Sequence, residues 1–322
     1  MAADEIRSPL AGRHIEVIAP SGAHLSLAEF DQSRVWFEKH GVKLTCEVPR
    51  TGWQRFSAPD DARLEAIHRA ARRSPLPDAV MITRGGYGLS RLIDRIDWPL
   101  VADSVARGCK WIGYSDFTAF HLALLARTGA VSYAGPAFSG DFAGEGPSQF
   151  SFEQFAGLFG SGPGPIRWRE SAQRGLDLQG VLWGGNLSLI CSLVGTPWLP
   201  DIEGGLLFVE DVSEHPYRIE RMLHHLFHAG VLARQKALIF GEFSAWKAVP
   251  HDRGYGLEAM TDYWRSRLTV PIISGLPFGH GPSKAVLEVG RNYRLRVDAG
   301  FALLEPSGDA HQARPMRPSS TA

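Results

Sequence analysis

The chain has 322 residues, 44% of them hydrophobic and 21% charged, the composition of an ordinary soluble globular protein. Its 34 Lys and Arg residues balance 34 Asp and Glu, which removes the electrostatic case for binding nucleic acid or an anionic membrane and favours a small neutral or zwitterionic substrate. No apolar run approaches the ~18 residues of a transmembrane helix, and the length exceeds what one hydrophobic core usually sustains, so two domains are expected.

Cys46, Cys109 and Cys191 are scattered and odd in number, which suits a reducing compartment and offers neither a disulfide framework nor a metal spacing. Met1 to Arg7 contains no basic region leading into an apolar stretch, so no signal peptide is expected and the location reads as cytoplasmic. From there strand and helix patterns alternate. Ile15 to Ala19 is a strand broken by Pro20-Ser21-Gly22, and Ser26 with Glu29 forms a capping box for a helix ending before Gly41. Val42 to Val48 is a second strand, and Pro59 to Arg73 a helix with Leu64, Ile67 and Ala71 on one face. Asp78 to Thr83 is a third strand; the loop Arg84-Gly85-Gly86-Tyr87-Gly88 follows, then a short helix from Leu89 to Ile96.

Lys110 to Gly113 is an apolar strand, and Thr118 to Arg127 carries apolar residues at helical spacing. Ser115 lies in the sharp turn between them. With Val131 to Ala134 as a fifth strand, this is a parallel sheet flanked by helices, and the N-terminal α/β domain is expected to span 1–140. The Gly-, Pro- and Ser-rich stretch 141–170 reads as a linker. A smaller C-terminal α/β domain is expected over 171–310. It opens with a strand that enters a helix through Gly184-Gly185-Asn186, and a second strand, Gly204 to Val212, ends in Glu210 and Asp211. After His215-Pro216, the stretch Tyr217 to Phe227 is a helix with Ile219, Met222, Leu223 and Leu226 inward; Ala237 to Gly241 and Pro271 to Ile273 are strands, the last leading to Phe278-Gly279-His280-Gly281. The polar, proline-bearing tail 311–322 is expected to be disordered.

Ligands of parallel sheets bind beyond the carboxyl ends of the strands, where Pro20-Ser21-Gly22, Arg84 to Gly88 and the Ser115 turn converge. A serine between strand and helix has its hydroxyl lifted above the sheet while unpaired helix N–H groups face the place of an oxyanion. Phe117 stands where the usual nucleophile elbow has glycine, which speaks against an ordinary α/β-hydrolase, and Ser115 or Asp116 alternatively caps the helix. The glycine-rich loop is either a tight turn or the source of an N–H from Gly86 that completes an oxyanion hole with the N–H of Asp116. Ser21 is a rival nucleophile better read as a turn residue. Ser115, His280 and Glu210 supply the hydroxyl, imidazole and carboxylate of a triad. His224 and His228, four apart, lack a third ligand and read as a solvated helix face.

Taken together, Arg84 to Gly88, Gly113-Tyr114-Ser115-Asp116, Gly184 to Leu187, Gly195-Thr196-Pro197-Trp198, Val209-Glu210-Asp211, Glu214 to Arg218 and Phe278-Gly279-His280 resemble, in order, the LD-carboxypeptidase family of serine peptidases, over about Ile15 to Val289. The resemblance implies an α/β N-terminal domain paired with a smaller C-terminal one, usually as a homodimer without metal or organic cofactor. It implies a cytoplasmic enzyme that removes terminal D-alanine from murein tetrapeptides in cell-wall recycling, with Ser115 as nucleophile, Glu210 as triad acid and His280 as base. Arg84, Tyr87, Asn186, Glu214 and Arg218 are candidates for gripping the terminal carboxylate and the diaminopimelate side chain. Two other functions are open: a relative of the microcin C self-immunity peptidases cutting peptide-nucleotides, with Trp183 and Trp198 weighed as stacking platforms or core, and a non-catalytic binding protein.

Overall fold

The structure, a computed structural model, describes residues 8–310; the expectations for the extreme N-terminus and for the tail 311–322 fall outside the described residues. In chain order the elements are β1 (His14–Ile18), α1 (Leu27–Lys39), β2 (Lys43–Thr45), α2 (Asp60–Arg72), β3 (Ala79–Ile82), α3 (Trp98–Ala106), β4 (Lys110–Gly113), α4 (Thr118–Thr128) and β5 (Ser132–Ala134). There follow α5 (Gln149–Gly157), β6 (Ile166–Arg169), β7 (Leu176–Asn186), α6 (Leu187–Leu193), β8 (Leu206–Val212) and α7 (Pro216–His228). The last are β9 (Ala237–Ser244), α8 (Leu257–Arg267), β10 (Ile272–Ser274), β11 (Leu287–Val289), β12 (Arg291–Asp298) and β13 (Phe301–Ala310). This mixed α/β chain forms two compact units that interleave in sequence. Unit 1 holds the described residues up to Tyr114 with Gly135–Gly164 and Pro282–Val286; unit 2 holds Ser115–Ala134, Pro165–Gly281 and the described residues from Leu287 on.

Unit 1 is built on parallel strands in the order β4-β3-β1-β2. Ala79 to Ile82 are all buried, the continuous apolar run of a strand covered on both faces. Helix α1 starts where its cap predicts: the Ser26 hydroxyl accepts the Glu29 N–H at 3.2 Å. On α2 the inward residues are Arg63, Ile67, Ala70 and Ala71, with Leu64 only half-buried. Arg63 is sequestered because its guanidinium is satisfied, donating to the carbonyls of Ala58, Pro20 and Gly88 and pairing with Asp60, so it ties the loop after β1 to the loop after β3. The helix expected from Leu89 to Ile96 is a single 3-10 turn, Leu89–Arg91, and α3 follows it, capped by Asp97, whose carboxylate accepts the Leu100 N–H at 3.0 Å. The stretch that reads as a linker delivers Phe142 and Phe155, both fully buried, to an aromatic cluster around Phe37 and Phe138. Truncating such a ring typically costs ~3–5 kcal/mol.

Unit 2 carries a mixed sheet in the order β10-β9-β8-β7-β12-β13-β6. Its β10, β9, β8 and β7 are parallel, and β12, β13 and β6 are antiparallel. Leu206 to Val209 and Ala237 to Phe240 are buried throughout, as parallel central strands require. In β12, by contrast, Tyr293, Leu295 and Val297 point inward and Arg296 and Asp298 outward, so one face of that end of the sheet meets water. On α7 the buried stripe is Ile219, Leu223 and Leu226, with Met222 half-buried beside it. β5 pairs antiparallel with β11.

Candidate active site

Strand β4 ends at Gly113, and the chain passes through a 3-10 turn, Ser115–Phe117, directly into α4. Ser115 occupies that turn at φ 63°, a left-handed conformation that costs a non-glycine residue ~1–3 kcal/mol and that persists only where the surroundings enforce it. Phe117 supplies part of that enforcement: it is fully buried, stacked on Phe120 at 4.4 Å and edge-on to His121 at 4.9 Å. A large ring therefore fills the position where an ordinary elbow needs glycine. Phe117 is the N-cap residue of α4 and makes no side-chain cap hydrogen bond.

Two glycines bring β7 against this turn. A Cβ on Gly184 would lie 1.9 Å from the Phe208 carbonyl oxygen, and one on Gly185 would lie 2.4 Å from Thr118 Oγ1. With no Cβ at either position, Thr118 Oγ1, three residues past Ser115, accepts the Asn186 N–H at 2.9 Å. The Asn186 side chain, buried, donates to Asp211 Oδ1 at 3.0 Å, and its carbonyl oxygen caps α6 by accepting from Leu189 N and Ser188 Oγ. Burial pushes the Asp211 carboxyl up to about 6, with the neighbouring Glu210 charge adding to the rise against hydrogen bonds from Val212, Asn186 and Ser188.

Glu210 and His280 are brought into direct contact. Glu210, on β8, is fully buried, and its Oε2 lies 2.7 Å from Nδ1 of His280, whose side chain is 17% exposed. A proton held on Nδ1 by that carboxylate makes Nε2 the basic nitrogen of the ring. The loop carrying His280 is set by β9: between Val209 and Asp211 the register shifts, so Gly241 and Glu242 together oppose Glu210 in a bulge. A Cβ on Gly241 would meet the Phe278 carbonyl oxygen at 2.4 Å, and the Glu242 N–H donates to that same oxygen at 2.8 Å. The paired acids at the end of β8 are the sequence signal for Asp211, whereas the bulge that aims Glu242 has no sequence signature here.

The other candidates are placed as follows. Glu214 and Arg218 pair with each other at the start of α7. Arg84, Gly86 and Tyr87 belong to unit 1, where Arg84 Nη1 donates to the Ala23 carbonyl at 3.1 Å and its guanidinium fills the space beside Gly22 and Gly86. Tyr87 is exposed, with the Arg55 guanidinium 5.7 Å from its ring centre. Ser21 is fully buried. Trp183 is buried and donates to Gln235 Oε1 at 3.0 Å, which leaves no face for stacking a base. His224 Nε2 lies 3.2 Å from the Tyr263 hydroxyl, and no group of three or more potential metal ligands occurs among the described residues. Burial pushes the thiols of Cys46, Cys109 and Cys191 up to about 12, away from thiolate chemistry.

Comparison with known proteins first gives the class, a serine-type carboxypeptidase and thus a hydrolase. The chain belongs to the LD-carboxypeptidase family: residues 15–135 match the LD-carboxypeptidase N-terminal domain and residues 179–295 the LD-carboxypeptidase C-terminal domain. It is similar to a muramoyltetrapeptide carboxypeptidase from Oxalobacter formigenes, with 38% identity and a TM-score of 0.85 over 92% of this chain and 100% of that one. It is 29% identical to the murein tetrapeptide carboxypeptidase of Pseudomonas aeruginosa, covering 90% of this chain and 95% of the relative. The wild-type microcin C7 self immunity protein shares the fold, with a TM-score of 0.81 at 20% identity over 94% of this chain and 98% of that one. No helix among the described residues is long and apolar enough to cross a membrane.

Proposed function

We propose that the protein is an L,D-carboxypeptidase that releases terminal D-alanine from a murein tetrapeptide through an acyl-enzyme on Ser115. The observation that carries this reading is the buried Glu210 bonded at 2.7 Å to His280 in the unit that also presents Ser115 at φ 63°. His280 takes the Ser115 proton, and the alkoxide attacks the amide carbonyl at the L-centre of the third residue. The Asp116 N–H stabilises the oxyanion, a donor of a kind worth ~3 kcal/mol of barrier. The Gly86 N–H, at φ 105° in its own loop, is assigned as second donor on the sequence pattern. His280 then protonates the departing amine, and water cleaves the ester. Glu210 orients the imidazole and stabilises its protonated form. Names of relatives that act on murein peptides support the substrate class. Arg84, Tyr87, Asn186, Glu214 and Arg218 stay assigned to substrate binding. The same reading assigns the enzyme to peptidoglycan recycling in the cytoplasm, as a homodimer without metal or organic cofactor.

The test is release of free D-alanine from L-Ala-D-Glu-diaminopimelate-D-Ala by the purified protein. Turnover of that peptide with no turnover of a peptidyl-nucleotide is the expected result. The opposite pattern would move the function to the microcin C type, and turnover of neither would leave a binding protein.

A further inference from the structure

We infer that Glu242 determines substrate specificity by binding the side-chain ammonium of the peptide's third residue beside His280. The inference rests on the murein-peptide reading and adds a residue to it. Three observations converge. The β9 bulge places Gly241 and Glu242 opposite the single residue Glu210, which re-aims the Glu242 side chain from ordinary strand alternation. Both glycines flanking His280 make room for it: a Cβ on Gly279 would lie 2.7 Å from Glu242 Cβ, and one on Gly281 would lie 1.9 Å from Glu242 Oε2 and 2.8 Å from Oε1. The carboxylate thus lies flat along the backbone of the base's own loop. Finally, it is half-buried, yet no Arg, Lys or His among the described residues forms an ion pair with it.

A partly desolvated carboxylate without a counter-charge is a cost to the empty protein that a cationic ligand offsets. Diaminopimelate and lysine both carry an ammonium at the end of that side chain, in diaminopimelate with a carboxylate on the same carbon, and a carboxylate packed against Gly281, next to His280, reads the shared ammonium. Glu210 cannot serve, because its Oε2 is held by His280 and it is fully buried. Asp211 cannot serve either, since both its oxygens accept hydrogen bonds from Asn186, Ser188 and Val212.

The experiment compares kcat/KM for L-Ala-D-Glu-diaminopimelate-D-Ala with that for the same peptide acetylated on the side-chain amine. The wild type should prefer the free amine, and Glu242→Gln should lose roughly 10- to 100-fold on it, the worth of one charge-assisted hydrogen bond, chiefly through KM. On the acetylated peptide the variant should stay within about twofold of wild type. Gly281→Ala, which displaces the carboxylate while keeping Glu242, should reproduce the loss of preference. An equal fall on both peptides would show that Glu242 supports the imidazolium or the fold instead, and an unchanged preference would show no role; either overturns the inference while leaving the peptidase reading intact. Wild-type turnover of neither peptide would overturn that reading and this inference with it.

Discussion

Two glycine-rich loops invite comparison, Arg84 to Gly88 in unit 1 and Phe278 to Gly281 in unit 2. In the first, the absent Cβ atoms of Gly22 and Gly86 make room for the loop's own Arg84, whose guanidinium would lie 2.3 and 2.9 Å from them. In the second, Gly279 and Gly281 make room for Glu242 from a neighbouring strand, and the residue between them reaches a buried carboxylate. The same letters thus serve loop architecture in one place and the surroundings of an imidazole in the other. A glycine pair says that something comes close, and only the structure says what.

The most direct way to sharpen the contrast is to remove the chemistry from the second loop. His280→Ala and Glu210→Gln should each lower kcat by roughly 10⁴-fold, read as D-alanine release, with little change in substrate affinity. A loss below tenfold in either would break the assignment. Next in size is the close approach that seats the Ser115 turn: Gly184→Ala would put a Cβ 1.9 Å from a carbonyl oxygen at φ 140°, and should destabilise by more than about 3 kcal/mol in urea denaturation.

Asp211 gives a pH signature beside the Glu210 pair. Its folded pKa, pushed up to about 6 by burial, lies above the ~3.9 of an unfolded aspartate, so the protonated form is favoured by folding. The contribution is therefore fully present below about pH 4 and is lost as pH rises through 6, which should remove about 2–3 kcal/mol. Stability measured from pH 4 to pH 7 for the wild type, minus that for Asp211→Asn, should fall by that amount; a difference that rises with pH would contradict it. The smallest effect belongs to the first loop. Arg84→Ala should cost at least about 1 kcal/mol of stability, the net worth of its bond to the Ala23 carbonyl alone, measured by the same denaturation.

Local signals carried much of this. The Ser26 cap, the apolar run before Gly113 and the stripe Ile219, Leu223, Leu226 were legible because each depends on neighbours three or four residues away. Ser115, His280 and Glu210 were nameable one at a time, but the 2.7 Å contact across 70 residues of chain is a property of β8 and its partners, which no spacing encodes. Arg63 escaped notice because a buried guanidinium is tolerable only when distant carbonyls satisfy it. The β12 strand could have been found from its alternation of Tyr293, Leu295 and Val297 with charged residues. Glu242 could not, since a bulge in a strand pair has no single-sequence mark here.

The mechanism turns on the acylation of Ser115. Intact-mass spectrometry of acid-quenched protein mixed with the tetrapeptide tests it most directly. The wild type should gain the mass of the peptide less D-alanine, with the adduct mapping to Ser115, and Ser115→Ala should show neither adduct nor free D-alanine. D-alanine release by Ser115→Ala, or an adduct on another residue, would contradict the mechanism.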